Sequence, residues 1–201
     1  MSSKQYSNVR GYSATEILNR VAKFSDGFTH FPDDYWLIGV RSNEDEFNVA
    51  DDKFYLFKGE KFVKIMYGST NAGERGLKKF DEYNSEGVAH LKANTIVYDY
   101  AKRGKHKGKV WAYRQSKPFP YFRDNNKDTK VDEMGEIHTD IIYANIHPMD
   151  YIDWHDFTKK WIGGWSLACQ IVNNRKEYDE FMTLTEGQEY LTYCLLQEWD
   201  D

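Results

Sequence analysis

The segment Ile162-Gly163-Gly164-Trp165-Ser166-Leu167-Ala168-Cys169-Gln170-Ile171-Val172 carries a cysteine through small residues into an apolar strand start. A glycine pair lets the backbone turn sharply, and small neighbours leave a thiol at the mouth of a cleft. A cysteine becomes a nucleophile when a nearby imidazole or positive field lowers its pKa. Upstream, Tyr143-Ala144-Asn145-Ile146-His147-Pro148 ends an apolar stretch on a histidine, far enough away in sequence for neighbouring strands to bring His147 beside Cys169. Trp165, Ser166 and Gln170 would then line the pocket, and the main-chain amides of Ala168 and Cys169 could stabilise an oxyanion. Taken alone, a cysteine and a histidine are a weak signal, because most free cysteines are inert buried thiols.

A second constellation is Asp124, Asn126, Asp128 and Asp132, which fit positions one, three, five and nine of a calcium loop. Thr129 stands where such a loop has glycine, and Gly135 where it has glutamate. A polar turn whose Asx side chains bond their own backbone uses the same residues. Calcium is the one candidate ion, and the thiol chemistry requires no cofactor.

The elements that must position these groups are mostly strands. Ser13-Ala14-Thr15-Glu16 is a capping box opening a short amphipathic helix with Ile17, Leu18, Val21, Ala22 and Phe24 at helical spacing, and Ser25-Asp26-Gly27 ends it. Trp36–Arg41 reads as a buried strand, and Lys58-Gly59-Glu60-Lys61 between two apolar runs reads as a hairpin tip. Gly68–Gly73 lacks the Lys-Ser/Thr end of a phosphate loop and reads as a turn. His90–Tyr100, Val110–Arg114, Tyr121–Arg123 and Ile141–His147 read as strands, and Lys102–Lys109 as a basic turn. After the cysteine, one helix carries Tyr178, Phe181 and Met182, and a last helix carries Tyr190, Leu191, Cys194 and Leu195. The expected fold class is α+β, a β-rich single domain with an N-terminal helix and C-terminal helices. Residues 1–30 form the N-terminal helical extension and 31–201 the main domain.

Composition excludes several classes. Aromatics at 16% with 4 prolines argue against disorder. A net charge of −5 argues against a nucleic-acid surface. There is no run of about 18 apolar residues to span a membrane, and Met1–Tyr6 lacks the apolar core of a signal peptide. Two cysteines, Cys169 and Cys194, without zinc spacing are expected to be free thiols.

Asn145-Ile146-His147, Gly164–Val172 and Tyr178-Asp179-Glu180-Phe181-Met182 together resemble a phage-encoded group. Its members carry Ile-His-Arg, then Trp-Ser-x-Gly-Cys-Gln-Val, then an acidic-aromatic helix. That group looks like a divergent branch of the L,D-transpeptidase (YkuD-like) family. Gly39-Val40-Arg41, Asp51-Asp52, Gly68-Ser69-Thr70, His106–Lys109 and Arg123–Asn126 agree with it, so the resemblance runs from about Trp36 to Met182. It implies mixed sheets and a cysteine enzyme acting on peptidoglycan stem peptides through a thioester, with Cys169 as nucleophile and His147 as candidate base. His106 and Arg123 join Ser166, Trp165 and Gln170 as candidate substrate contacts. The main family places its base two residues before the nucleophile, where this chain has Leu167; Ala168 replaces the adjoining glycine. The resemblance therefore also implies an alternative, an inactive structural or binding component of a phage particle. The implied partners are a peptidoglycan peptide or other phage proteins, in host cytoplasm or virion.

Overall fold

The computed structural model describes residues 6–200 apart from 45 and 154; the Met1–Gln5 stretch examined for a signal peptide lies outside them. In chain order the elements are α1 (Ala14–Phe24), β1 (Tyr35–Arg41), β2 (Asp52–Lys58), β3 (Lys61–Ser69), α2 (Glu74–Lys79), β4 (Val88–Leu91) and β5 (Thr95–His106). Then follow β6 (Val110–Gln115), β7 (Phe119–Asp124), β8 (His138–Asp140), β9 (Ile146–Pro148), β10 (Gln170–Val172), α3 (Arg175–Leu184) and β11 (Tyr190–Gln197). This is a β-rich α+β domain.

Eight strands close into a barrel in the order β1-β11-β5-β6-β9-β10-β3-β2, and β4-β7-β8 form a separate three-stranded sheet. Two barrel pairs, β1 with β11 and β9 with β10, are parallel, so the sheet is mixed. Closure removes the exposed edges that an open sheet of this size would present.

The interior is filled by Leu37, Phe54, Tyr100, Tyr113, Phe119, Phe181 and Tyr193, all fully buried. Each such side chain contributes about 1.5–3 kcal/mol by leaving water. A second cluster seats α1: Ile17 and Val21 pack on Trp36, Ile38, Phe57 and Leu196. The helix start is the expected capping box, with the Glu16 N–H donating to Ser13 Oγ at 3.3 Å and the Ser13 N–H to Glu16 Oε2 at 2.7 Å.

Four sequence expectations change. The last helix expected around Tyr190–Leu195 is strand β11, so the chain has one C-terminal helix, α3, rather than two. Leu191–Leu196 are buried on both faces between β1 and β5, and a run buried on both faces has no periodicity to separate strand from helix. Cys194 is accordingly a strand thiol. His90–Tyr100 is two strands, broken where Asn94 takes a positive φ of 53°. The basic run is mostly strand: β5 continues through His106, and only Lys107–Lys109 make the turn, Lys107 and Gly108 at positive φ. Finally, Ile141–Asn145 is irregular, with a strand only at Ile146–Pro148.

Candidate functional site

Parallel pairing of β9 with β10 sets the site. Gln170 lies opposite Ile146 and Ile171 opposite His147, so Cys169 enters the ladder beside Asn145. The approach is bent at Gly163, with φ of 55°. Cys169 is half-buried, and its thiol donates to the Tyr143 carbonyl at 3.7 Å. Among the described residues no hydrogen bond joins the sulfur to an imidazole. Burial pushes the Cys169 thiol up to about 11, against the opposing pull of the Asn145 main-chain N–H and Lys107.

The two histidines do come together. His106 and His147 stack with ring centroids 4.2 Å apart and planes 15° from parallel. Their tautomers follow from their partners. The Gln115 N–H donates to Asn145 Oδ1 at 2.9 Å, which turns the Asn145 amide nitrogen towards His106 Nδ1 at 3.2 Å. His106 Nδ1 therefore accepts, and its proton sits on Nε2. His147 shows the reverse: its Nδ1 proton is donated to the Pro148 carbonyl at 2.9 Å, leaving Nε2 as the basic nitrogen. Burial pulls His147 down to about 3, helped by His106 and Lys107, and pulls His106 down to about 4, helped by Lys107 and Arg114. His106 is thus neutral, with burial the larger cause and the Lys107 and Arg114 charges the smaller.

Tyr151 closes the pocket from the other side. Its ring lies 6.1 Å from His106, 6.3 Å from His147 and edge-on to Trp165 at 5.0 Å, and the Cys169 charge raises its hydroxyl pKa after burial. Cys169, His147, His106 and Trp165 therefore share one neighbourhood. Ser166 and Gln170 do not face a pocket. Ser166 is buried and its hydroxyl donates to the Cys169 carbonyl at 2.8 Å, locking the turn. Gln170 points into the barrel, where Tyr193 donates to its Oε1 at 2.6 Å and its amide donates to Thr70 O and Ala168 O. A buried amide in an apolar barrel has to find such partners, and that demand turned it away from the thiol.

A cleft of about 330 Å³ is walled by Phe80, Tyr83, Val88, Arg123, Tyr143, Leu167 and Ala168; it reaches the chain neighbours of Cys169, while Cys169, His106 and His147 do not line it. Arg123 donates to Gly87 O at 3.0 Å and lies over the Tyr121 ring at 5.0 Å.

Sequence reasoning missed the residues that hold this site. Asn145 touches every part of it: side chain to His106 and Gln115, carbonyl accepting from the Gln170 N–H at 2.9 Å, amide facing the sulfur. Gln115 Oε1 accepts from the N–H groups of both Ile142 and Ala144, and Tyr100 donates to the Ala144 carbonyl. Those bonds hold Tyr143 at a φ of 60°, which bulky residues rarely adopt. Only the strained Tyr143 had no conceivable sequence signal; a glutamine ending an apolar strand was a faint one.

The aspartate constellation lies on the connection after β7. Carboxylate oxygens of Asp124, Asp128 and Asp132 fall within 4.8 Å of one another. Asn126 donates to Asp132 Oδ2 at 2.7 Å, and its Oδ1 accepts from the Asp128 N–H at 2.8 Å.

No family model, no curated protein and no solved structure matches this chain. No helix among the described residues is long and apolar enough to cross a membrane.

Proposed function

We propose that the protein is a thiol-dependent acyl-transfer enzyme of phage type acting on peptidoglycan stem peptides, as peptidase or transpeptidase. The observation that carries this reading is the pairing of β9 with β10, which brings Cys169 into the neighbourhood of a stacked pair of neutral histidines with opposite tautomers, while the adjoining Leu167 and Ala168 line a cleft. His147 Nε2 takes the thiol proton, and sulfur bonds to the substrate carbonyl carbon. The C–N bond then breaks, the proton passing to the departing amine. The thioester is finally passed to water or another amine. The main-chain N–H groups of Ala168 and Cys169, which donate to nothing among the described residues, suit the oxyanion.

The resting site is not activated. Burial raises the thiol and lowers the imidazole, so it opposes proton transfer between them, and a substrate that brings polar groups to Cys169 eases that transfer. The same resting state, with Leu167 where the resembled family has its base, favours a second reading: a binding component of a phage particle that keeps an unreactive thiol.

One experiment separates them. Tetrapeptide stems are incubated with the native protein and with Cys169→Ala, while iodoacetamide labelling of Cys169 is followed against pH. Cleavage or exchange lost in Cys169→Ala supports the enzyme; equal activity in both, or none in either, sinks it. In free protein the labelling rate should still climb tenfold per pH unit up to about pH 10, as a thiol near 11 requires.

A further inference from the structure

We propose that the segment from Asp124 to Asp132 binds a hard divalent cation of the calcium class, with the carboxylates of Asp124, Asp128 and Asp132 as ligands. This does not rest on the thiol chemistry. Three acidic side chains within 4.8 Å would on their own be a solvated turn. What points to a ligand is Asp124. It is only 5% exposed, its Oδ2 is out of reach of solvent, and that oxygen has no hydrogen-bond partner among the described residues. Buried carboxylate oxygens are otherwise almost always paired.

The surroundings do not supply the missing partner. His90 Nε2 lies 3.9 Å from Asp124 Oδ2, beyond hydrogen-bond distance. Neither His90 ring nitrogen has a hydrogen-bond partner. Arg123 is turned to Gly87 and Tyr121, Lys127 pairs with Asp81 at 2.8 Å, and Arg41 pairs with Glu133. The Asn126 N–H, 3.2 Å from Oδ1, is a weak partial answer.

The donor set selects the ion. It is all oxygen, which suits calcium or magnesium rather than zinc. The spacing of Asp124, Asn126, Asp128 and Asp132, at positions one, three, five and nine of a calcium loop, favours calcium of the two. Glu133 also fixes one end of the segment, accepting from Arg41 and from the Ala93 N–H at 3.1 Å, so Asp132 is delivered by an anchored neighbour.

The test is calorimetric titration of the full chain, stripped with chelator, with calcium chloride and separately with magnesium chloride. A saturable single site for calcium, with a rise in Tm, is expected. Asp128→Asn and Asp132→Asn, which keep side-chain shape, should each weaken binding at least tenfold. Cys169→Ala should bind as the native protein does, which separates this result from the fate of the thiol reading. Absence of calcium binding up to about 10 mM, an order above the weakest natural class, overturns the proposal. So does unchanged affinity in both asparagine variants, or magnesium binding as tight as calcium.

Discussion

The thiol pocket and the aspartate segment lie on the same framework but solve opposite problems. Around Cys169 most polar groups have partners: Asn145, Gln115, His106 Nδ1 and His147 Nδ1 are all bonded, the sulfur donates to Tyr143 O, and His106 Nε2 is the buried exception. What that pocket lacks is charge, because burial has neutralised every titratable group in it. Around Asp124 charge is abundant and partners are missing. A largely paired, neutral pocket is stable and waits for a substrate to activate it. An uncompensated acidic cluster is costly until something binds. The first site is expected to show its function as rate, the second as stability.

Acid separates the two most forcefully. His90, His106 and His147 all have folded pKa values well below the ordinary 6.5, so the unfolded chain takes up protons first as pH falls. Their contribution is intact above about pH 6.5 and is lost on descent towards 3–4, by roughly 2 kcal/mol each at pH 5. Asp52 and Asp124, whose pKa values are raised, oppose that trend. Against a typical total of about 5–15 kcal/mol, the protein should unfold on mild acidification. Urea midpoints measured from pH 7.5 to 4.5 check this, and His90→Leu should flatten the slope. A slope unaffected by His90→Leu would show that this imidazole titrates normally.

Next in size is Gln115→Ala. The substitution leaves the Ile142 and Ala144 N–H groups without an acceptor and the Lys117 and Asp140 carbonyls without a donor. The Ala144 N–H is buried and the other three groups lie in part-buried bonds, so a loss of about 1–3 kcal/mol is expected in chemical denaturation. The thiol turn should loosen as well, with faster iodoacetamide labelling of Cys169. A variant that is destabilised yet labels at the native rate would mean that Gln115 serves the fold and not the site.

Gln115 also marks the limit of what the sequence displays. The α1 capping box, the β2–β3 hairpin and the aspartate spacing were legible because their determinants lie within a few residues of each other. The Cys169–His147 neighbourhood was legible as two apolar segments that could pair. Ile141–Asn145 was misread as strand because its apolar residues look the part. Its backbone instead bonds to a glutamine side chain 27 and 29 residues away, which no local pattern encodes. Cys194 was misread for a related reason, since a strand flanked by β1 and β5 needs no alternation.

The smallest effect is the most diagnostic, because it changes sign. Asp128 is exposed, and its Oδ1 accepts from the Lys130 N–H at 2.7 Å, a bond that asparagine keeps. In chelator, Asp128→Asn removes one like charge from beside Asp124 and should raise stability by about 0.5 kcal/mol or less. In saturating calcium the native protein gains binding free energy that the variant forgoes, and the order of stabilities should reverse. Paired melting curves with and without calcium read both signs on the same samples. If the variant is the less stable in chelator too, the segment is held by Asp128 hydrogen bonding and not strained by its charge. The contrast with the thiol pocket would then reduce to two satisfied sites.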